Sequence, residues 1–185
     1  MPPFASEIKN RHIEKEKPKE RISINVNLTK GYFKRKSLNE HEIEYLLKLG
    51  YKEFSYKSIC SRRKENYLLR PRFNETLNHM IVIYDIAEYL NKKKVENAIF
   101  TTRMPDVVVF GKNKDFALEI ETGSVLTNMK KFREKMKLLE NNYPDAFYFI
   151  VTDRNLIKKY RKYGKVIDPR YIKGQLDKII KLSRK

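Results

Sequence analysis

The chain has 185 residues and a formal net charge of +18 at pH 7, with 41 Lys and Arg residues against 23 Asp and Glu residues. This length favours a single domain, and an apolar content of 41% is enough for a hydrophobic core. Because Cys60 is the single cysteine, a disulfide framework, a zinc finger and an iron–sulfur site within one chain are excluded. The basic excess favours an anionic partner, with nucleic acid as the first candidate; a Lys-rich or thermophilic proteome is the alternative.

The sequence has no signature of a membrane or secreted protein. No apolar run approaches the ~20 residues of a transmembrane helix, and the charged N-terminus lacks the apolar stretch of a secretory signal. We therefore expect a cytoplasmic protein without a membrane partner. Walker A and Rossmann glycine patterns are also missing, so we expect no nucleotide cofactor.

Composition divides the chain into three parts. Residues 1–20 are rich in Lys, Glu and Pro and predict a flexible basic arm. Residues 21–73 predict a small N-terminal DNA-binding region, and residues 74–185 predict the main α/β domain.

The N-terminal region contains mixed signals. Residues 21–28 alternate polar and apolar side chains, which predicts a strand, and the apolar stripe after Ser37 predicts a helix ended by Gly50. Residues 58–73 are basic and aromatic, and we expect short elements and loop there. Their cationic side chains are expected to contact DNA phosphates, with a solvated loop as the alternative. These candidates are Arg62, Arg63, Lys64, Arg70 and Arg72.

The main domain has alternating helical and strand periodicities. The predicted elements are helix 74–91 capped by Asn74, strands 94–103, 106–110 and 116–121, helix 126–141, strand 146–152, helix 153–163, strand 166–167 and helix 176–182. The loop at 111–115 predicts a hairpin, and the helix after it predicts a crossover to a parallel strand. The order therefore predicts an α/β sandwich with a central mixed sheet flanked by helices.

Three carboxylates are expected at one end of this hairpin. Strand alternation places Glu119 and Glu121 on one face, and the hairpin sets Asp106 opposite them. Clustered carboxylates repel unless a cation lies between them, so Asp106 and Glu119 predict ligands for Mg²⁺ or Mn²⁺, with the Ile120 carbonyl as a further oxygen. Glu121 is a further ligand or orients or deprotonates an attacking water. The alternative is solvated strand ends whose acids pair with surface lysines.

The order of elements, with Pro105-Asp106 on one strand and Glu119-Ile120-Glu121 on the next, resembles the PD-(D/E)xK nuclease superfamily. The resemblance implies a restriction-endonuclease-like fold over residues 74–185, with Asp106 and Glu119 as Mg²⁺ ligands. Glu121 stands where the superfamily usually has a catalytic Lys. Some restriction endonucleases of the superfamily have Glu at this position; the alternative is a lysine supplied by the following helix. Members of the superfamily often add an acid from the first helix. The candidates are Lys130, Lys131 and Lys135 for the lysine, and Glu75, then Glu88, for the acid.

A narrower resemblance covers residues 66–152. This stretch resembles plasmid and integrative-element proteins of the replication-relaxation or mobilisation type, in which a winged helix-turn-helix precedes a PD-(D/E)xK-like domain. The matching positions are His79, Glu119, Glu121, Gly123, Ser124 and Lys135. A catalytic role for His79 is one interpretation; pairing with Glu75, four residues earlier on one helix face, is the other.

Two functions follow as hypotheses. The first is a Mg²⁺- or Mn²⁺-dependent DNA endonuclease of a mobile element such as a plasmid, a virus or an integrative element. The second is a DNA-binding accessory protein that keeps the fold without catalysis, which the Glu at position 121 favours. The resemblance also implies a homodimer for cutting two strands. Lys130 is a further candidate for DNA contact, and Tyr160 and Tyr163 are expected to pack or to stack on bases.

Overall fold

The computed structural model describes residues 24–72, 75–100 and 105–185. The helices are α1 (Glu40–Lys48), α2 (Leu77–Lys92), α3 (Met129–Asn142), α4 (Ile157–Tyr160) and α5 (Ile172–Ser183). The strands are β1 (Tyr32–Lys34), β2 (Lys52–Lys57), β3 (Lys64–Leu69), β4 (Asn97–Ile99), β5 (Val107–Val109), β6 (Phe116–Glu121), β7 (Phe147–Val151) and β8 (Lys165–Ile167). Within the described residues, no helix is both long enough and apolar enough to span a bilayer.

The N-terminal region forms a three-stranded antiparallel sheet in the order β1-β3-β2. Helix α1 begins with a capping box, in which the Asn39 side chain and Glu42 satisfy each other's backbone N–H groups. Its buried residues Ile43 and Leu46 pack with Leu68 of β3 in a small core. The helix predicted after Ser37 is therefore confirmed.

Two predictions for this region are wrong. Residues 24–28 are irregular rather than part of a strand, and residues 21–23 lie outside the described residues. The stretch 64–69, predicted as short elements and loop, is β3, the central strand of the small sheet. Its charged residues stay near solvent at one end, while Tyr67, Leu68 and Leu69 are buried at the other. This gradient along the strand hid the two-residue alternation that usually identifies a strand.

A five-stranded mixed sheet in the order β4-β5-β6-β7-β8 forms the main domain. Strands β4, β5 and β6 are successively antiparallel, and β7 and β8 are parallel to β6. Leu118 and Ile120 of β6 pack in the core that includes α2, whereas Ala117 faces Phe132 of α3 and Phe149 of β7. The predicted α/β domain with a mixed sheet, a central hairpin and a parallel crossover is confirmed.

The ends of several helices differ from prediction. Thr76 caps α2 by accepting a hydrogen bond from the His79 N–H, while Asn74, the predicted cap, lies outside the described residues. Helix α3 begins three residues late because residues 124–127 form a 3₁₀ turn. A second 3₁₀ turn at 154–156 delays the start of α4, which ends at Tyr160, and α5 extends beyond its predicted span.

Asp85 of α2 ties the small sheet to the main domain. Its carboxylate accepts hydrogen bonds from the Ser58 hydroxyl at 2.7 Å and the Tyr56 hydroxyl at 3.2 Å. It also accepts the backbone N–H groups of Ile59 at 2.8 Å and Cys60 at 3.3 Å. One carboxylate therefore satisfies four donors, one at the end of β2 and three in the β2–β3 turn.

Replacing Asp85 with Ala should lower the free energy of unfolding by about 2–4 kcal/mol, because several buried donors lose their acceptor. Urea unfolding followed by circular dichroism measures this. The matched control Glu140→Ala removes one exposed carboxylate and should change stability by less than about 0.5 kcal/mol. Equal effects of the two substitutions would contradict the anchoring role.

Candidate active site

The β5–β6 pairing places Asp106 beside Ile120 at one end of the hairpin. Val107 lies opposite Leu118, so the residue before it reaches the last residues of β6. Asp106 Oδ2 accepts a hydrogen bond from the Ile120 N–H at 2.7 Å. A cleft of about 170 Å³ opens here. Its ionisable lining residues are Glu75, His79, Asp106, Glu121 and Lys135.

Glu119 and Glu121 are buried on the face of β6 that packs against α3, with 1% and 3% of their surfaces exposed. Lys135 of α3 reaches between them. Its Nζ forms an ion pair with Glu119 Oε2 and lies 3.0 Å from Glu121 Oε1. The Tyr160 hydroxyl donates a hydrogen bond to the other oxygen of Glu121 at 2.8 Å. One ammonium and one hydroxyl therefore hold the two glutamates on their shared face.

Burial and charge shift the protonation of this cluster. Burial raises the pKa of Glu119 well above its usual value, and the charges of Asp106 and Glu121 add to this while Lys135 opposes it. Burial alone would lower the pKa of Lys135, but Glu119, Glu121 and Asp106 outweigh it and raise the pKa. Lys135 is therefore the charged cation of the cluster, and burial favours the protonated form of Glu119.

His79 of α2 contacts the cleft from the other side. Its Nε2 lies 3.3 Å from Asp106 Oδ2 and 3.1 Å from the Ile120 carbonyl oxygen, and its Nδ1 lies 3.9 Å from Glu75 Oε2. Burial opposes the change, but the hydrogen bond and charge of Asp106 raise the pKa of His79. Burial likewise opposes a lower pKa for Asp106, yet His79, Lys135 and the Ile120 N–H together lower it. His79 therefore pairs with Glu75, although Glu75 lies two residues before α2 rather than on a face of the helix, and His79 also contacts Asp106.

The carboxylate and carbonyl oxygens of the site suit a hard cation as ligands. In this structure the side chains of Lys135 and His79 contact these oxygens. Within the described residues, no group of three or more His, Cys, Asp or Glu side chains is arranged to hold a metal ion. Two buried carboxylate oxygens, Glu75 Oε2 and Glu119 Oε2, have no hydrogen-bond partner in the same part of the chain, although Lys135 forms an ion pair with the second. A divalent ion on Asp106 and Glu119 would therefore compete with Lys135 for Glu119 and with His79 for Asp106.

The structure brings five of the sequence-predicted residues together: Asp106, Glu119, Glu121, Glu75 and Lys135. Glu88, the second choice for the helix acid, lies near the far end of α2 and pairs with Lys34 at 2.6 Å and Lys92 at 2.8 Å. Lys130 and Lys131 are exposed in the first turn of α3. Among the three candidate lysines, Lys135 is therefore the one in contact with the acids.

The basic residues predicted to contact DNA lie in separate places. Arg62 and Arg63 form the β2–β3 turn, and Lys64 begins β3. Arg70 is exposed just after β3. Arg72 is half-buried, donates to the Tyr84 hydroxyl at 2.7 Å, and lies 3.8 Å from Glu75 at the rim of the cleft.

Sequence reasoning missed the link between Tyr160 and the site. Tyr160 is fully buried and packs edge-on against Phe132, so it packs rather than stacks on a base. The available signal was its position shortly after β7, the parallel neighbour of β6. Val151 at the end of β7 lies opposite Glu121, so the next helix starts at the glutamate end of the sheet. Tyr163 also packs against Phe132.

Comparisons of this chain with protein-family models, with curated proteins and with solved structures return no match.

Proposed function

We propose that this protein is a metal-dependent DNA endonuclease with a PD-(D/E)xK-like domain, encoded by a mobile genetic element. The observation that carries the proposal is the convergence of Asp106, Glu119 and Glu121 with Lys135 at one end of the β5–β6 hairpin, beside an open cleft. The order α2-β4-β5-β6-α3-β7, with three antiparallel strands and a parallel fourth, supports this fold.

Asp106, Glu119 and the Ile120 carbonyl would hold Mg²⁺ or Mn²⁺. When bound, the ion supplies neutralisation of phosphate charge and a lower pKa for water. The net charge of +18 supports DNA as the partner, because the excess of cations offsets the repulsion between the polyanion and the cluster of acids. A cytoplasmic location and a homodimer that cuts two strands belong to the same proposal.

Lys135 takes the role that a Lys at position 121 would have. Its ammonium, once free of Glu119, can orient the attacking water or stabilise negative charge on the phosphate, since its Nζ already lies at the glutamates. Glu121, held by the Tyr160 hydroxyl, is placed to accept a proton from that water. Glu75, two residues before α2, adds an acid at the cleft.

The second candidate is a DNA-binding accessory protein of the relaxosome or replication type that has this fold without catalysis. The ion pairs of Lys135 with both glutamates favour it, because they satisfy the acids without a metal. Both candidate functions include DNA binding. They differ in whether the cluster of Asp106, Glu119, Glu121 and Lys135 cleaves the DNA.

Incubation of supercoiled and branched DNA with the protein separates the two candidates. The endonuclease predicts nicked or linear products with Mg²⁺ or Mn²⁺ and none with EDTA. DNA binding without cleavage under every divalent ion tested would exclude the endonuclease and support the accessory protein. Absence of DNA binding would exclude both.

A further inference from the structure

A second charged surface lies at the opposite end of α2 from the active-site cleft. This basic groove has a volume of about 730 Å³ and is formed by β1, the β2–β3 turn, the end of α2 and the start of α5. One acid, Glu65, lines it together with seven cations: Lys34, Lys36, Arg62, Arg63, Lys92, Arg170 and Lys173. Only Arg62 and Arg63 belong to the basic stretch recognised in the sequence.

The groove has more cations than the neighbouring carboxylates neutralise. Glu88 pairs with Lys34 and Lys92, Glu65 pairs with Lys34 and Lys36, and Asp168 pairs with Arg170 at 2.7 Å. In the part of the chain that the structure describes, no carboxylate forms an ion pair with the other three cations. These are Arg62, Arg63 and Lys173, all of which are exposed.

Hydrogen bonds fix the position of Arg62 and of the β2–β3 turn that carries it. Arg62 has a left-handed backbone with φ of 64°, and its guanidinium donates to the Arg170 carbonyl at 2.7 Å. This bond joins the β2–β3 turn to the segment before α5. The Asp85 carboxylate fixes the preceding backbone of the turn through Ile59 and Cys60. Arg62 is therefore preorganised, and together with Arg63 and Lys173 it gives three exposed cations without acid partners, which suit a phosphodiester backbone.

We propose that the basic groove binds the backbone of DNA at a distance from the cleft, so that binding and cleavage use different surfaces. The identity of the polyanion rests on the proposed function. His79 at the cleft and Lys92 at the groove occupy the two ends of the 16-residue helix α2. Their separation along the axis is about 20 Å at 1.5 Å per residue. About six base pairs of duplex cover this distance.

The test compares two double variants with the same change in net charge. Arg62→Glu with Lys173→Glu alters the groove, whereas Lys178→Glu with Lys185→Glu alters exposed positions outside the residues that line it. Binding to a 30-base-pair duplex is measured by fluorescence anisotropy in EDTA over a series of salt concentrations. The groove variant should bind at least about tenfold more weakly, with a salt slope lower by about two. The control should change affinity less than threefold, and circular dichroism checks that both variants fold.

Equal weakening by the two variants would overturn the groove proposal, because it would mean that net charge alone sets affinity. An unchanged affinity of the groove variant would overturn it as well. Since the measurement needs neither metal nor cleavage, a groove effect in a protein that never cleaves DNA would remove the endonuclease and leave the groove. Cleavage without a groove effect would support the endonuclease and exclude the groove.

Discussion

Replacing Asp106 with Asn should reduce metal-dependent DNA cleavage by at least about a hundredfold, because a metal ligand provides several kcal/mol of transition-state stabilisation. The substitution keeps the shape of the side chain. It also keeps an oxygen that can accept the hydrogen bond from the Ile120 N–H, which in wild type lies 2.7 Å from Asp106 Oδ2. DNA binding in EDTA should therefore change little. Product formation from supercoiled plasmid measures the effect.

Asp115→Asn is the matched control for this prediction. Asp115 lies at the opposite end of the same hairpin, where it accepts the Gly111 N–H at 3.0 Å. Its substitution should leave cleavage within about threefold of wild type, because its carboxylate is remote from the proposed metal ligands. Similar losses in both variants would indicate damage to the hairpin rather than removal of a ligand.

Replacing Lys135 with Met should have the second large effect, on the free energy of unfolding. Removing one partner of a buried ion pair costs about 3–5 kcal/mol. Since 32% of the Lys135 side chain is exposed, we expect about 2–3 kcal/mol in urea unfolding of the metal-free protein. The control is Lys131→Met, one turn earlier and exposed, which should cost less than about 0.5 kcal/mol.

The cost of Lys135→Met should depend on pH in a defined direction. The pKa of Glu119 is raised by burial, so the folded protein takes up this proton at a higher pH than the unfolded chain. The variant should therefore gain stability as the pH falls through the raised pKa of Glu119 towards the unfolded value of about 4.5, and this gain ends below that pH. Unfolding at several pH values measures it. A cost that grows as the pH falls would contradict the arrangement.

The sequence predicted the acid cluster because strand geometry has a period of two. Once β6 was recognised, Glu119 and Glu121 had to share a face, and the short loop at 111–115 fixed Asp106 near them. The burial of both glutamates was harder to predict from the sequence, since it depends on α3 and α4 packing over that face. The main sheet was predictable for the same reason, as its apolar runs are long and its turns contain Gly, Pro and Asn.

The choice among the helix lysines could not be made from the sequence. It depends on the phase of α3, and the helix begins only at Met129 because a 3₁₀ turn precedes it. Lys131 and Lys135 are one turn apart on similar faces, so their distance from the end of β6 decides which reaches the acids. The basic groove could not be predicted from the sequence either, because four distant segments form it.

Binding of Mn²⁺ to the metal-free protein, followed by electron paramagnetic resonance, tests most directly the claim that Asp106 and Glu119 hold a divalent cation. Wild type should bind Mn²⁺ saturably, Asp106→Asn and Glu119→Gln should bind it at least about tenfold more weakly, and Asp115→Asn should bind it as wild type does. Equal Mn²⁺ affinity in all four proteins, or no binding by wild type, would contradict the metal site.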